Sequence, residues 1–212
     1  MELYKRGSKG AVVKQIQKAL KLYPDGIFGV ITEDAVKDFQ KNHGLAADGI
    51  VGPATLALLI PLRLKRSKRT IKEIIIHCTA TPEGKDFTVD DIRRWHKQQG
   101  WSDIGYHYVI YRDGTIALGR DVDLVGAHCS KGGHNLYSIG VCYVGGTEGT
   151  PTKMGHTYRS KDTRTTWQKD AMASLIYDLK QLYPNAKVYG HHDFDARKDC
   201  PCFDAKKEYE KF

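Results

Sequence analysis

Three short stretches, the first more than a hundred residues ahead of the other two, carry metal-binding side chains: Ile74-Ile75-Ile76-His77, Gly190-His191-His192-Asp193 and Lys198-Asp199-Cys200-Pro201. Imidazole nitrogen and thiolate sulfur are zinc donors. Structural zinc sites close all four tetrahedral positions with protein atoms, whereas catalytic sites use three and keep the fourth open. Two imidazoles and one thiolate make three, so the set predicts a Zn2+ hydrolase and not a zinc-stapled fold. Tyr106, in Gly105-Tyr106-His107-Tyr108, and Lys198, two places before Cys200, complete the candidate site.

Such groups need a rigid frame. Ile74-Ile75-Ile76 is a continuous β-branched run, the pattern of a strand covered on both faces, and His77 falls at its end, where α/β sheets commonly place functional groups. Thr88-Val89-Asp90-Asp91 reads as the start of a helix carrying Ile92 and Trp95. Tyr106 to Tyr111 alternates and turns back at Arg112-Asp113-Gly114-Thr115 as a hairpin. Ser138 to Val144 is a further strand. Thr165-Thr166-Trp167-Gln168 is a capping box opening a long helix through Leu175, Ile176 and Leu179. Lys187-Val188-Tyr189 returns as a short strand delivering His191. The expected fold is α/β, a mixed β-sheet with flanking helices.

Residues 1–60 follow a different pattern. Asp25-Gly26-Ile27-Phe28-Gly29 is followed by Thr32, and Asp48-Gly49-Ile50-Val51-Gly52 by Thr55 at the same offset. Each Asp-Gly supplies a turn, and each Thr is expected to cap the next helix. With an earlier helix through Val12, Val13, Ile16 and Leu20, this predicts a small all-α three-helix domain. Between the two patterns, Arg63-Leu64-Lys65-Arg66-Ser67-Lys68-Arg69 holds five cations in seven residues. It is read as a solvated basic linker, residues 61–70, leaving 71–212 for the catalytic domain.

The 212 residues carry a formal charge of +8 and 41% apolar side chains, enough for packed cores and suited to a polyanionic surrounding. The longest apolar run, Leu56 to Leu64, is interrupted by Pro61 and too short to span a bilayer. Five cysteines without small-scaffold spacing predict reduced thiols. No apolar stretch follows Met1 to Arg6, so no signal peptide is expected.

The doubled Asp-Gly-x-x-Gly, with Phe39-Gln40 and Gly44-Leu45, resembles the peptidoglycan-binding module of wall hydrolases. The second segment is more specific. His77-Cys78-Thr79-Ala80-Thr81, Ile92 to Trp101, Gly105-Tyr106-His107-Tyr108, Gly119-Arg120-Asp121, Ser138-Ile139-Gly140-Val141-Cys142 and Cys200-Pro201 resemble the type-2 N-acetylmuramoyl-L-alanine amidases, the family of T-odd phage lysozymes and animal peptidoglycan recognition proteins. This resemblance spans residues 72–205. It implies zinc held by His77, the histidine after Gly190, and Cys200. Tyr106 orients or deprotonates water and helps protonate the leaving amine, while Lys198 stabilises the oxyanion. His128 lines the substrate cleft, with His107 also assigned to substrate. Asp25 and Asp48 are assigned to polymer binding in the anchor. The segment from His191 to Cys200 is one residue longer than in the phage enzymes. In an extended segment adjacent side chains face opposite ways, so only one of the two histidines can ligate: His191 is preferred and His192 is the alternative.

Singly, each of these residues has a commoner structural explanation; together, in family order, they do not. The resemblance implies hydrolysis of the amide between N-acetylmuramic acid and L-alanine, in a phage or prophage endolysin made in the cytoplasm and released through a holin-type pore. A bacterial autolysin or a cell-wall recycling amidase is the alternative; a soluble recycling substrate needs no anchor. The expected partner is peptidoglycan, with no nucleic acid, no membrane insertion and a monomeric chain. A pure recognition role is rejected because the metal cysteine is present.

Overall fold

A computed structural model describes residues 3–60, 64–149, 151–152, 155–156 and 158–212. The chain divides into two compact units, Met1–Arg63 and Leu64–Phe212. The first contains helices α1 (Ala11–Ala19), α2 (Val30–Asn42) and α3 (Pro53–Leu59). Val13, Ile16, Phe28, Val36, Val51 and Leu59 form its buried core. Each such side chain contributes roughly 1.5–3 kcal/mol by leaving water.

The sequence repeat is built around a buried glutamine. Gln17 Nε2 donates to Asp25 Oδ1 (2.7 Å), Ile27 O (3.0 Å) and Thr32 Oγ1 (3.2 Å), while its Oε1 accepts from Gly26 N (2.8 Å). Gln40 repeats the pattern with Asp48 (2.8 Å), Ile50 (2.9 Å), Thr55 (3.1 Å) and Gly49 (2.9 Å). Two expectations change here. Thr32 and Thr55 do not cap helices: Gly29 and Gly52 occupy the N-cap positions, and the threonines lie inside the first turn, facing the glutamines. Asp25 and Asp48 each spend one carboxylate oxygen on the glutamine and on the backbone N–H two residues ahead. The structure accounts for both as turn-formers, and their assignment to polymer binding is not carried further.

In the second unit the strands are β1 (Glu73–Cys78), β2 (Thr81–Pro82), β3 (Tyr108–Ile110), β4 (Ile116–Leu118), β5 (Ser138–Tyr143), β6 (Gly146–Glu148), β7 (Pro151–Thr152), β8 (Gly155–His156), β9 (Arg159–Ser160) and β10 (Lys187–Gly190). The helices are α4 (Val89–Gln98), α5 (Thr166–Leu182) and α6 (Ala205–Glu208). Five strands make the main sheet in the order β10-β1-β5-β3-β4; β1 runs parallel to both neighbours, and only β3–β4 is antiparallel. Ile74, Ile75 and Ile76 are fully buried, as a central parallel strand requires. The expected capping box forms at Thr165/Gln168, and the expected helix start at Thr88 proves to be a second one, with Asp91. Gln168 also reaches into the sheet, where Nε2 donates to Ile110 O (3.1 Å) and Val144 O (2.9 Å) and fixes α5 on its face. The second unit is the expected mixed α/β sheet with flanking helices, and the first is helical.

The basic segment departs from expectation. Pro61 to Arg63, its start, lies outside the described residues. Residues 64–70 belong to the second unit. Lys65 pairs with Asp121 (3.0 Å) and Asp123 (2.7 Å), buried Ser67 donates to Val122 O (2.7 Å), and half-buried Arg69 donates to Val122 O (2.9 Å) and Ser138 O (3.0 Å). Charge density alone cannot distinguish a solvated run from one whose carbonyl and carboxylate partners lie more than fifty residues away. Among the described residues no helix is long and apolar enough to cross a membrane.

Candidate metal centre and active site

Strand register brings the two histidines together. Ile76 pairs with Gly190 across the parallel β1–β10 ladder, so His77 on β1 and His191, directly after β10, are the next residues along the two chains. Adjacent strands lie about 4.8 Å apart, and the two imidazole centroids are 4.8 Å apart. The loop after β10 then folds back. His192 N donates to Cys200 O (2.8 Å), Lys198 N to Asp195 O (2.9 Å), and Tyr143 Oη to Pro201 O (2.8 Å). Buried Asp195 receives Arg197 (3.0 Å), which holds its carboxyl well below the usual range. Cys200 is thereby presented to His77, with Sγ 3.8 Å from Nδ1, and the backbone N–H of Cys78 donates to that sulfur (3.3 Å).

The ligand atoms of His77, His191 and Cys200 all lie within 4.8 Å of one another. Zinc bonds of about 2.0–2.1 Å to nitrogen and 2.3 Å to sulfur put tetrahedral donors roughly 3.4–3.6 Å apart, and Cys200 Sγ stands 3.8 Å from His77 Nδ1. Burial, and then the neighbouring imidazoles of His191 and His107, push His77 well below the usual histidine range. Burial and the Lys198 charge lower His191. Both shifts favour the neutral imidazole, the form that binds metal. The donor set therefore fits zinc.

His192 does not join the cluster. The reason differs from the expected one, since residues 191–193 form a 3-10 turn and not an extended segment. At three residues per turn, adjacent side chains still diverge by about 120°. His192 Nδ1 approaches Asp199 O (3.4 Å), and its side chain lines a cleft of about 730 Å³ together with Tyr158, Arg159, Lys198, Cys202 and Phe203.

Tyr106 is half-buried, its ring 5.2 Å from that of His77, and burial raises its phenol well above the usual value. His96 of α4, given no role from sequence, accepts from Gly105 N (3.0 Å) and packs against Tyr106 (5.4 Å), so that helix α4 aligns the tyrosine. Lys198 is exposed on the cleft, close enough for its charge to act on His191.

Two assignments are corrected. His107 is fully buried; its Nδ1 accepts from Gly140 N (2.9 Å), its Nε2 faces Leu124 O (3.1 Å), and burial pushes its pKa down to about 4. It clamps the entry of β3 to β5 and has no surface to offer a substrate. His128 is also buried and sits behind His77, Nδ1 to Nε2 at 3.0 Å, instead of lining a cleft. The sequence placed both in the right region, but facing direction depends on loop paths that no local pattern encodes. The residues 158–160 that wall the cleft gave no signal at all. Cys78, Cys129, Cys142, Cys200 and Cys202 are all free thiols.

Three candidate metal donors, two at the ends of parallel strands and one on the loop after β10, beside a tyrosine and a lysine, make an arrangement suited to a metal-dependent hydrolase. Residues 67–203 match the N-acetylmuramoyl-L-alanine amidase family, and residues 9–59 match a peptidoglycan binding domain. The chain belongs to the N-acetylmuramoyl-L-alanine amidase family. It is 43% identical over 146 residues to the endolysin of Klebsiella phage KP32, covering 68% of this chain and 89% of that one. Identity to the endolysin of Escherichia phage T7 is 40% over 146 residues, covering 69% and 90%. Among solved structures, the N-acetylmuramoyl-L-alanine amidase LysC from Clostridium intestinale URNW superposes with a TM-score of 0.53 at 28% identity, covering 68% of this chain and 84% of that one.

Proposed function

We propose that His77, His191 and Cys200 hold one zinc ion, and that Tyr106 and Lys198 act beside it in cleaving the amide between N-acetylmuramic acid and L-alanine. The observation that carries this reading is the convergence of three ligand atoms within 4.8 Å. When bound, zinc supplies Lewis acidity toward the scissile carbonyl and acidifies water. The chain's own groups do the rest. The Cys78 N–H stabilises the Cys200 thiolate. The Lys198 ammonium faces charge developing on the carbonyl oxygen. The Tyr106 hydroxyl, held by α4 through His96 and Gly105, orients the attacking water and passes a proton toward the leaving amine. His192 and Arg159 border the cleft in which the peptide stem would lie. The N-terminal unit holds peptidoglycan, and so raises the local concentration of scissile bonds. The protein acts as a monomeric endolysin, reaching the wall through a holin-type pore and engaging no nucleic acid.

Lys198→Ala and Tyr106→Phe test the assignment, because neither removes a metal donor. Both should retain zinc and bind sacculi. For Lys198→Ala, kcat for release of L-alanine-terminated peptides should fall about a hundred- to a thousand-fold, the usual cost of losing an oxyanion donor. KM should move little. An unchanged kcat for both variants would remove these residues from the mechanism.

A further inference from the structure

The His77 ring has two nitrogens, and only one of them faces the metal donors. Nδ1 lies 3.8 Å from Cys200 Sγ, whereas Nε2 points away and meets Nδ1 of His128 at 3.0 Å. The far nitrogen of His128, Nε2, lies 3.3 Å from Ser138 Oγ. All three residues are buried. The line from His77 through His128 to Ser138 therefore runs inward from the metal centre into the sheet.

The seat of His128 is closely built. Asn135 Oδ1 accepts from both His128 N (3.0 Å) and Cys129 N (2.7 Å), fixing the backbone. A Cβ added at Gly126 or at Gly140 would come within 2.5 Å of the His128 ring, so bare backbone walls the imidazole on two sides. His77 and His107 close other sides, with centroids at 4.9 Å and 5.6 Å, both edge-on. A ring so confined keeps one orientation.

We infer that His128 is the positioning residue of the metal centre: it accepts a hydrogen bond from His77 Nε2–H and thereby fixes the tautomer and aim of the metal-binding Nδ1, with Ser138 Oγ anchoring its far side. The logic is proton counting. A neutral imidazole that ligates through Nδ1 carries its single proton on Nε2. That proton needs an acceptor in a dry interior, and His128 Nδ1 is the atom there. Accepting at Nδ1 leaves the His128 proton on Nε2, where Ser138 Oγ receives it. Ligating histidines characteristically hand their second N–H to such an outer partner, and loss of the partner costs about 10- to 100-fold in metal affinity or activity. Here the partner is a second imidazole instead of a carboxylate, so the ligand is oriented without a buried negative charge beside the Cys200 thiolate.

The inference rests on the zinc reading above, and the test separates the two. Zinc dissociation constants of the full chain are measured by competition with a chromogenic chelator, alongside thermal unfolding of the metal-free proteins. His128→Leu keeps the bulk and removes the acceptor; His128→Asn places Oδ1 near the lost Nδ1. The parent should bind one zinc. His128→Leu should bind it about 10- to 100-fold more weakly, and His128→Asn should recover most of that loss, at similar metal-free melting temperatures. Ser138→Ala should weaken binding several-fold in the same direction. A parent that binds no zinc overturns the metal reading itself. A parent that binds zinc while His128→Leu binds it equally well, or while a folded His128→Asn does no better than His128→Leu, overturns the positioning role. If His128→Leu does not fold, His128→Asn must still match the parent; if neither folds, unchanged affinity in Ser138→Ala overturns the role.

Discussion

At the scale of the residue, His191 and His192 show how one step of backbone decides chemistry. They are adjacent and chemically identical, yet one faces the His77–Cys200 cluster and the other the open cleft. His191→Ala should therefore lose zinc, measured by metal analysis after dialysis, while His192→Ala should retain one zinc per chain and lose at most part of its activity. Cys200→Ser should behave like His191→Ala, because a neutral hydroxyl replaces a thiolate. Zinc kept by His191→Ala and lost by His192→Ala would show that the other histidine is the ligand. The structure brings together His77, His191 and Cys200, the set implied by the family resemblance; their types and spacing alone would not have singled them out. The facing of His107 and His128 was not legible in sequence. Their partners are backbone atoms of Gly140 and Leu124 and side chains of His77 and Ser138, contacts that exist only once the sheet is assembled.

At the scale of the element, local signals were read correctly where the partner is local. Thr88 and Thr165 cap the helices that follow them, each pairing with a residue three positions on, Asp91 and Gln168. Thr32 and Thr55 looked alike in sequence, but Gln17 and Gln40 on the preceding helices recruit them instead. Another such long-range feature is Arg164, whose buried side chain grips Asp162 (2.9 Å) ahead of α5 and Glu208 (2.9 Å) on α6 while lying over the Phe203 ring (3.2 Å). Burial alone would raise both carboxyls, but the guanidinium outweighs it and holds them below their usual values. Groups with depressed folded-state pKa values stabilise above their unfolded values, about 3.9 for Asp and 4.3 for Glu, and lose that contribution as pH falls through the folded ones. Glu208→Gln should therefore melt below the parent at pH 7, and the gap should close as pH drops toward about 3. A gap independent of pH, read in the same thermal scans, would mean that the ion pair contributes nothing specific.

At the scale of the whole molecule, the proposed function gives the two units separable tasks, and the boundary matters. A fragment of residues 64–212 should fold and cleave soluble muropeptides, while being weaker than the full chain on intact sacculi. A fragment starting at residue 68 should melt lower, because it lacks Lys65 and the buried Ser67 that fasten the segment to Val122 and Asp123. Equal melting of the two fragments, compared by calorimetry, would return residues 64–67 to the role of a free linker. Residues 1–63 alone should sediment with peptidoglycan. The central claim is that a metal held by His77, His191 and Cys200 drives cleavage of the amide to L-alanine. Its most direct test is mass spectrometry of material released from purified sacculi by the full chain, before chelation, after chelation and after zinc is returned. The account predicts stem peptides with a new L-alanine amino terminus and uncut glycan strands, abolished by the chelator and restored by zinc. New reducing sugar ends without new alanine amino groups, or undiminished release from metal-free protein, would contradict it.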